Sequence, residues 1–300
     1  MDYSIQYKIK KAVEFENTGK ILHAMQIYNS LLKEFPDLID AFIRLATLYE
    51  KTGQVDSAVE IIKQGIKLNP KNTELLLSSG RLFIRNKLWY DTVEVLKDIS
   101  PEEEPIVSLL VAHAYFNLEE QELAKIHLLR FIISDEQPEL IHEAYLFLAK
   151  IEYFFNNLDS ALKYISKAEL LLNDFWELHF IKAKVLFKQK MYSHSIKAIE
   201  YAIRVNSKEE ELHSWAGKIY IKVGEFEKAE SHLIKFMQSQ KPVAVETYLA
   251  LADTLQMQNK FLEAEQHLNE AMKLHPENPD ISKRIKSLSN IKNSTKVSDA

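Results

Sequence analysis

Residues 39–70 read IDAFIRLATLYEKTGQVDSAVEIIKQGIKLNP, and residues 245–276 read VETYLALADTLQMQNKFLEAEQHLNEAMKLHP. In each stretch apolar residues recur at helical spacing, as in Leu45, Leu48 and Tyr49 or Ile61, Ile62 and Ile66. A short break divides each stretch into two halves, and Asn69-Pro70 or His275-Pro276 ends the second half, because proline and the residue before it resist a helical backbone. Both stretches therefore read as helix, turn, helix. The same frame fits starts at Ile5, Ile39, Thr73, Pro105, His142, Trp176, Glu210 and Val245, spaced by 34, 34, 32, 37, 34, 34 and 35 residues. Eight units result: 5–38, 39–72, 73–104, 105–141, 142–175, 176–209, 210–244 and 245–278.

Two positions of the frame hold small residues throughout. Position 8 carries Ala12, Ala46, Gly80, Ala112, Ala149, Ala183, Gly217 and Ala252. Position 20 carries Ala24, Ala58, Thr92, Ala124, Ala161, Ser195, Ala229 and Ala264. Position 24 is large and apolar in every unit, from Tyr28 to Leu268. Two helices that cross closely need small side chains at the crossing and large ones beside it. One such hairpin cannot bury its apolar face alone, so stacked neighbours must complete the core. Position 11 is aromatic or Leu in seven units, and Glu152 is the departure.

This pattern resembles the tetratricopeptide repeat (TPR) family. The resemblance implies an all-α, right-handed superhelical solenoid of about eight helix-turn-helix hairpins. Asn278-Pro279 reads as an N-cap followed by proline at the first helical position. It opens a capping helix over 279–291, with Ile281, Ile285 and Leu288 on one face, and 292–300 reads as a polar, frayed tail. The segment DISPEEEPIV shortens the second helix of the third unit and marks 98–106 as a flex point. Longer joints, SDEQPEL at 134–140 and SQKPVAV at 239–245, follow the fourth and seventh units, and the first is the better subdomain boundary.

Composition narrows the function classes. The apolar share of 46% and charged share of 27% fit a folded chain and exclude wholesale disorder. With no cysteine, disulfides and thiolate chemistry are excluded. The net charge of −5 argues against bulk attraction to nucleic acid or anionic lipid. The opening MDYSIQYKIKKAVEFENTGK lacks the basic start and apolar run of a secretory leader, so the sequence reads as cytoplasmic. Phosphate-loop, dinucleotide, nucleophile-elbow and zinc-protease motifs are absent. His179 and His213 share repeat position 4, and Glu263 and His267 lie four apart, but zinc normally takes three or four ligands. The sequence points to no enzyme, no cofactor and no metal.

In TPR arrays the first helices line a concave groove, and the resemblance assigns positions 2, 5, 9, 12 and 13 to it. Position 9 reads Arg81, His113, Lys150, Lys184 and Lys218 across units three to seven, and position 13 adds Arg85, Lys188 and Lys222. Phe116, Tyr153, Phe187 and Ile221 occupy position 12, and Phe180 sits at position 5. Glu74, Glu143, Glu177, Glu211 and Glu246 form a row at position 2. Two readings of these rows stand open. In one, lysine and glutamate rows pair between helices and the aromatics pack repeat on repeat. In the other, the groove docks an extended or helical protein segment carrying acidic and apolar residues, and the chain is a non-enzymatic scaffold or adaptor. Single-stranded RNA, or a non-catalytic accessory role in an enzyme or a secretion or assembly complex, is the alternative. Chaperone-binding family members use Lys at position 5 and Asn at position 9 of their first unit; Ile9 and Val13 stand there.

Overall fold

The computed structural model describes residues 3–134, 138–239 and 242–298, with side chains as far as 290. The central residues of the joint at 134–140 and two of those at 239–245 lie outside the described residues. The described chain is α-helical apart from one 3₁₀ turn at Pro138–Leu140. It divides into two compact units, 1–147 and 148–300.

In the first unit the helices are α1 (Tyr3–Asn17), α2 (Ile21–Glu34), α3 (Ile39–Lys51), α4 (Val55–Leu68), α5 (Thr73–Arg85), α6 (Trp89–Leu96), α7 (Ile106–Asn117) and α8 (Gln121–Ser134). Helix α9 (Ile141–Phe154) runs through the division between the units. The second unit continues with α10 (Leu158–Leu171), α11 (Trp176–Lys188), α12 (Tyr192–Val205), α13 (Glu210–Val223), α14 (Phe226–Ser239), α15 (Val245–Met257), α16 (Phe261–Leu274) and α17 (Pro279–Ser298). Within each unit helical hairpins stack on one another, giving an all-α solenoid of helical hairpins.

All sixteen small residues at positions 8 and 20 are buried, and so is every large residue at position 24. The crossing leaves no spare room. A Cβ added at Gly80 would meet Leu96 at 2.8 Å, and one added at Gly217 would meet Leu233 at 2.8 Å. In both hairpins the position-24 leucine rests where a position-8 side chain would grow.

Every hairpin closes in the same way. The residue at position 15 takes a left-handed conformation in all eight: Gly19, Gly53, Lys87, Glu119, Asn156, Lys190, Gly224 and Asn259. The next amide donates back to the carbonyl at position 11, as in Lys20 to Phe15 (2.8 Å), Leu88 to Phe83 (2.8 Å) and Glu225 to Tyr220 (3.1 Å). This is the Schellman arrangement, which satisfies carbonyls a helix end leaves open. Glycine suits the left-handed position, but five hairpins adopt it without glycine.

Helix α6 has 8 residues where the other second helices have 14. The chain then turns through 97–105, and Ile99 is buried with Leu76, Leu96, Val107 and Val111. Residues 98–106, read from sequence as a flex point, thus lie inside the first unit and carry a core anchor. Helix α17 covers the last hairpin with Ile281 and Leu288, both buried, and its backbone stays helical to Ser298, beyond the end at 291 read from sequence. Arg284 ties it to α15 by a 2.8 Å bond to Asp253. Burial holds the Asp253 carboxyl above its ordinary pKa, and Arg284 opposes that rise.

Candidate functional site

The polar rows of the first helices were the site expected from sequence, and their geometry differs between the two units. In the first unit Arg85, at position 13 of the third hairpin, forks onto Glu50, at position 12 of the second. Its Nε lies 3.0 Å from Oε1 and its Nη2 2.7 Å from Oε2. Asn86 adds a 2.8 Å bond to the same carboxylate. These donors hold Glu50 below the usual carboxylate range. Arg81 is exposed and has no ion-pair partner among the described residues. The His113 ring lies between Trp89 (5.6 Å) and Phe147 (4.9 Å), and Phe116 meets Phe147 edge-on at 5.1 Å.

In the second unit the lysine row meets both acids and rings. Lys150 donates to Glu177 at 2.5 Å, and Lys184 lies 3.3 Å from Glu211. Each pair joins position 9 of one hairpin to position 2 of the next, so the pairing reading holds for these two lysines. The Lys150 pair is partly buried and the Lys184 pair more open; exposed pairs contribute about 0–1 kcal/mol. Lys184 also sits over three rings, Phe180 (4.5 Å), Trp215 (5.1 Å) and Tyr153 (6.0 Å). Lys188 caps Tyr153 at 4.0 Å, and Lys218 lies over Trp215 at 5.1 Å. A cation over an aromatic face gains about 0.5–1 kcal/mol at an exposed site. Burial and the nearby Glu211 push the Tyr153 phenol up in pKa. Lys188, Lys218 and Lys222 are exposed and have no carboxylate partner among the described residues.

Two of the expected site residues serve the core instead. Phe180 is buried among Ala183, Leu212 and Ala216, and Ile221 packs partly buried between neighbouring hairpins. Phe187 stays half-buried and meets Trp215 edge-on at 5.8 Å.

Sequence reading missed Trp215, Phe147 and Glu50. Trp215 and Phe147 occupy position 6, three residues before Lys218 and Lys150. Residues three apart on a helix share a face, so that spacing was the available signal.

The histidines resolve locally. His179 Nε2 donates to the Asn173 carbonyl at 2.7 Å, and its ring lies 4.1 Å from that of Tyr201. His213 Nδ1 lies 2.9 Å from His232 Nδ1. Burial, aided by His213, lowers the His232 pKa to about 4. His267 Nδ1 lies 3.8 Å from the Glu270 carboxylate. Among the described residues no group of three or more His, Asp or Glu side chains is placed to hold a metal ion, and no helix is long and apolar enough to cross a membrane.

Comparison with known proteins agrees with this architecture. A tetratricopeptide-repeat family model matches residues 19–82, the segment from the first turn through most of α5. That segment is a tetratricopeptide-repeat segment, and the other hairpins repeat its frame. Among curated relatives, the chain is 28% identical over 82 residues to the CTR9 homolog of Arabidopsis thaliana, covering 27% of this chain and 8% of that protein. It is 23% identical over 195 residues to the BBSome complex member BBS4 of Bos taurus, covering 63% of this chain and 36% of that one. The chain thus spans little more than a third, at most, of the length of these two relatives. The solved structure of the APC/C hetero-tetramer Cut9–Hcn1 superposes with a TM-score of 0.64 at 16% identity, over 89% of this chain and 52% of that one. MamA from Desulfovibrio magneticus RS-1 gives a TM-score of 0.50 at 15% identity, over 57% and 96%. At these identities the likeness is one of fold.

Proposed function

We propose that this chain is a non-enzymatic adaptor whose second unit docks a partner segment bearing acidic and apolar side chains on its first-helix face. The observation that carries the proposal is the state of the lysines. Lys150 and Lys184 are paired with Glu177 and Glu211, whereas Lys188 and Lys218 rest on ring faces and Lys222 is exposed. A ring face offers no carboxylate, so these ammonium groups keep N–H donors for an incoming anion. The half-buried Phe187 and Trp215 between them offer apolar anchors. Aromatic anchors supply most of the affinity in many interfaces, and surrounding charge steers approach. Two of the similar proteins are named for assemblies, the BBSome and the APC/C, which supports an assembly role here.

The test is affinity capture from the native host with the wild type and with Lys188→Glu, Lys218→Glu and Lys222→Glu combined. The triple variant should melt like the wild type and lose its partner. Capture at the wild-type level would remove the proposal. The variant avoids Lys150 and Lys184, whose reversal would disturb contacts between hairpins. Labelled single-stranded RNA supplies the contrast: binding that falls steeply with salt would favour the RNA reading, because phosphate contacts release counterions.

A further inference from the structure

We propose that the outer face of α8 is a self-association surface, which pairs antiparallel with α8 of a second copy of this chain. This inference does not rest on the first-helix-face reading.

Other second helices expose apolar residues near their ends, such as Leu22, Leu262, Leu170 and Leu171, but α8 presents four along its length. Leu123, Ile126, Leu129 and Ile133 are 40%, 54%, 38% and 82% exposed. At the repeat position of Ile126 the other seven hairpins carry Gln, Glu, Lys or Ser, and at that of Leu123 they carry His, Ser, Asp, Lys or Glu. At these two positions only α8 shows water an apolar side chain; at those of Leu129 and Ile133 the seventh and fifth hairpins also carry Ile234 and Leu170. A contiguous exposed patch of this kind marks an interaction site. The stripe continues onto α6, where the exposed Tyr90, with Val93, Leu118 and Leu123, helps to wall a surface depression of about 500 Å³.

The order of residues selects the occupant. Around Ile126 the sequence is self-complementary: Leu123 and Leu129 lie three residues to either side, and Glu122 and Arg130 lie four to either side. Residues three and four from Ile126 share its face. In an antiparallel pair with a two-fold axis at Ile126, each residue before the axis faces its mirror position in the partner copy. Isoleucine then meets isoleucine, Leu123 meets Leu129, and Glu122 meets Arg130, twice, while Ile133 falls opposite Glu119 in the turn before α8 and lies outside the matched centre. An unrelated apolar helix has no need of this symmetry. Within its own chain Arg130 is near enough to Glu102 to help lower that carboxyl's pKa. A single helix face is small beside the roughly 1,200–2,000 Å² that stable interfaces bury. The dimer is accordingly weak and concentration-dependent.

Sedimentation equilibrium of the full chain tests this. The wild type should rise from monomer toward dimer mass as concentration increases, and Ile126→Asp should stay monomeric with unchanged helical circular dichroism. Glu122→Arg sets arginine against arginine and should raise Kd by about tenfold. The exchange variant Glu122→Arg/Arg130→Glu restores both pairs and should recover wild-type association. Because the chain has no cysteine, Ile126→Cys should give a disulfide-linked dimer on mild oxidation. A wild type that remains monomeric throughout, or a dimer indifferent to Ile126→Asp, would overturn the proposal. So would an exchange variant as weak as Glu122→Arg, which would deny the antiparallel register.

Discussion

Position 12 of one hairpin faces position 13 of the next in both units, and the two units use the contact differently. In the first, Glu50 meets Arg85 in a forked ion pair. In the second, Tyr153 meets Lys188 over its ring at 4.0 Å. A guanidinium fork on a carboxylate uses its donors and cancels its charge. An ammonium group over a ring keeps both its charge and most of its donors. The same register thus stitches hairpins together in one unit and displays cations in the other. Repeat position fixes which side chains meet; the residue type decides whether that meeting is spent on cohesion or left open to a partner.

Three experiments probe this contrast. The largest effect belongs to Trp215→Ala. It removes the half-buried platform beneath Lys184 and Lys218 and the ring against Phe187, and should lower stability by about 2 kcal/mol by denaturant titration, with loss of partner capture. Stability unchanged within error would mean that the rings do not organise the lysines.

The next compares two histidines at one repeat position. His127 and His232 each lie 5.6 Å from the position-11 tyrosine of their hairpin, but His232 also faces His213, where the fourth hairpin has Ser108. The His232 pKa is lowered to about 4, so the unfolded chain takes up this proton at higher pH than the folded chain does. The stability tied to His232 is present above pH about 6.5 and is lost as pH falls toward 4. Lys235, Lys228 and Glu200 also act on this ring, the first two lowering its pKa and Glu200 raising it. His213→Ser should raise the His232 pKa in an NMR titration and flatten the fall in melting temperature over that range. An unmoved titration would show that burial alone sets it.

The smallest effect is expected from Arg85→Ala. It leaves Glu50 with Asn86 alone and should cost about 0.5–1 kcal/mol, since the pair is partly exposed. Partner capture should not change, because the proposed docking face lies in the other unit. A loss of capture would join the two faces in one function.

Much of this architecture was legible beforehand, because sixteen small residues and eight large ones at fixed intervals leave few other ways to bury apolar surface. The hairpin register, the closing helix and the row of lysines all follow from counting. The partners of those lysines do not. Lys184 could reach Glu211, Phe180 or Trp215, and only the side-chain geometry shows that it engages all three. Position 12 is glutamate in the first two hairpins and apolar or aromatic in the third to seventh, so a rule drawn from those later hairpins passes over the glutamate that meets Arg85. The left-handed turns at Lys87, Glu119 and Lys190 were hidden for a similar reason. Composition identifies such a turn where glycine marks it, and here tertiary packing imposes it on residues that would not choose it alone.

Those eight identical closures bear on how the protein can be altered. If glycine, lysine, glutamate and asparagine all accept one backbone shape at the tip, the tip's chemistry is decoupled from the decision to fold. Epitopes, tags or short grafted loops placed there should report on the outside of the molecule while the stack beneath keeps its register.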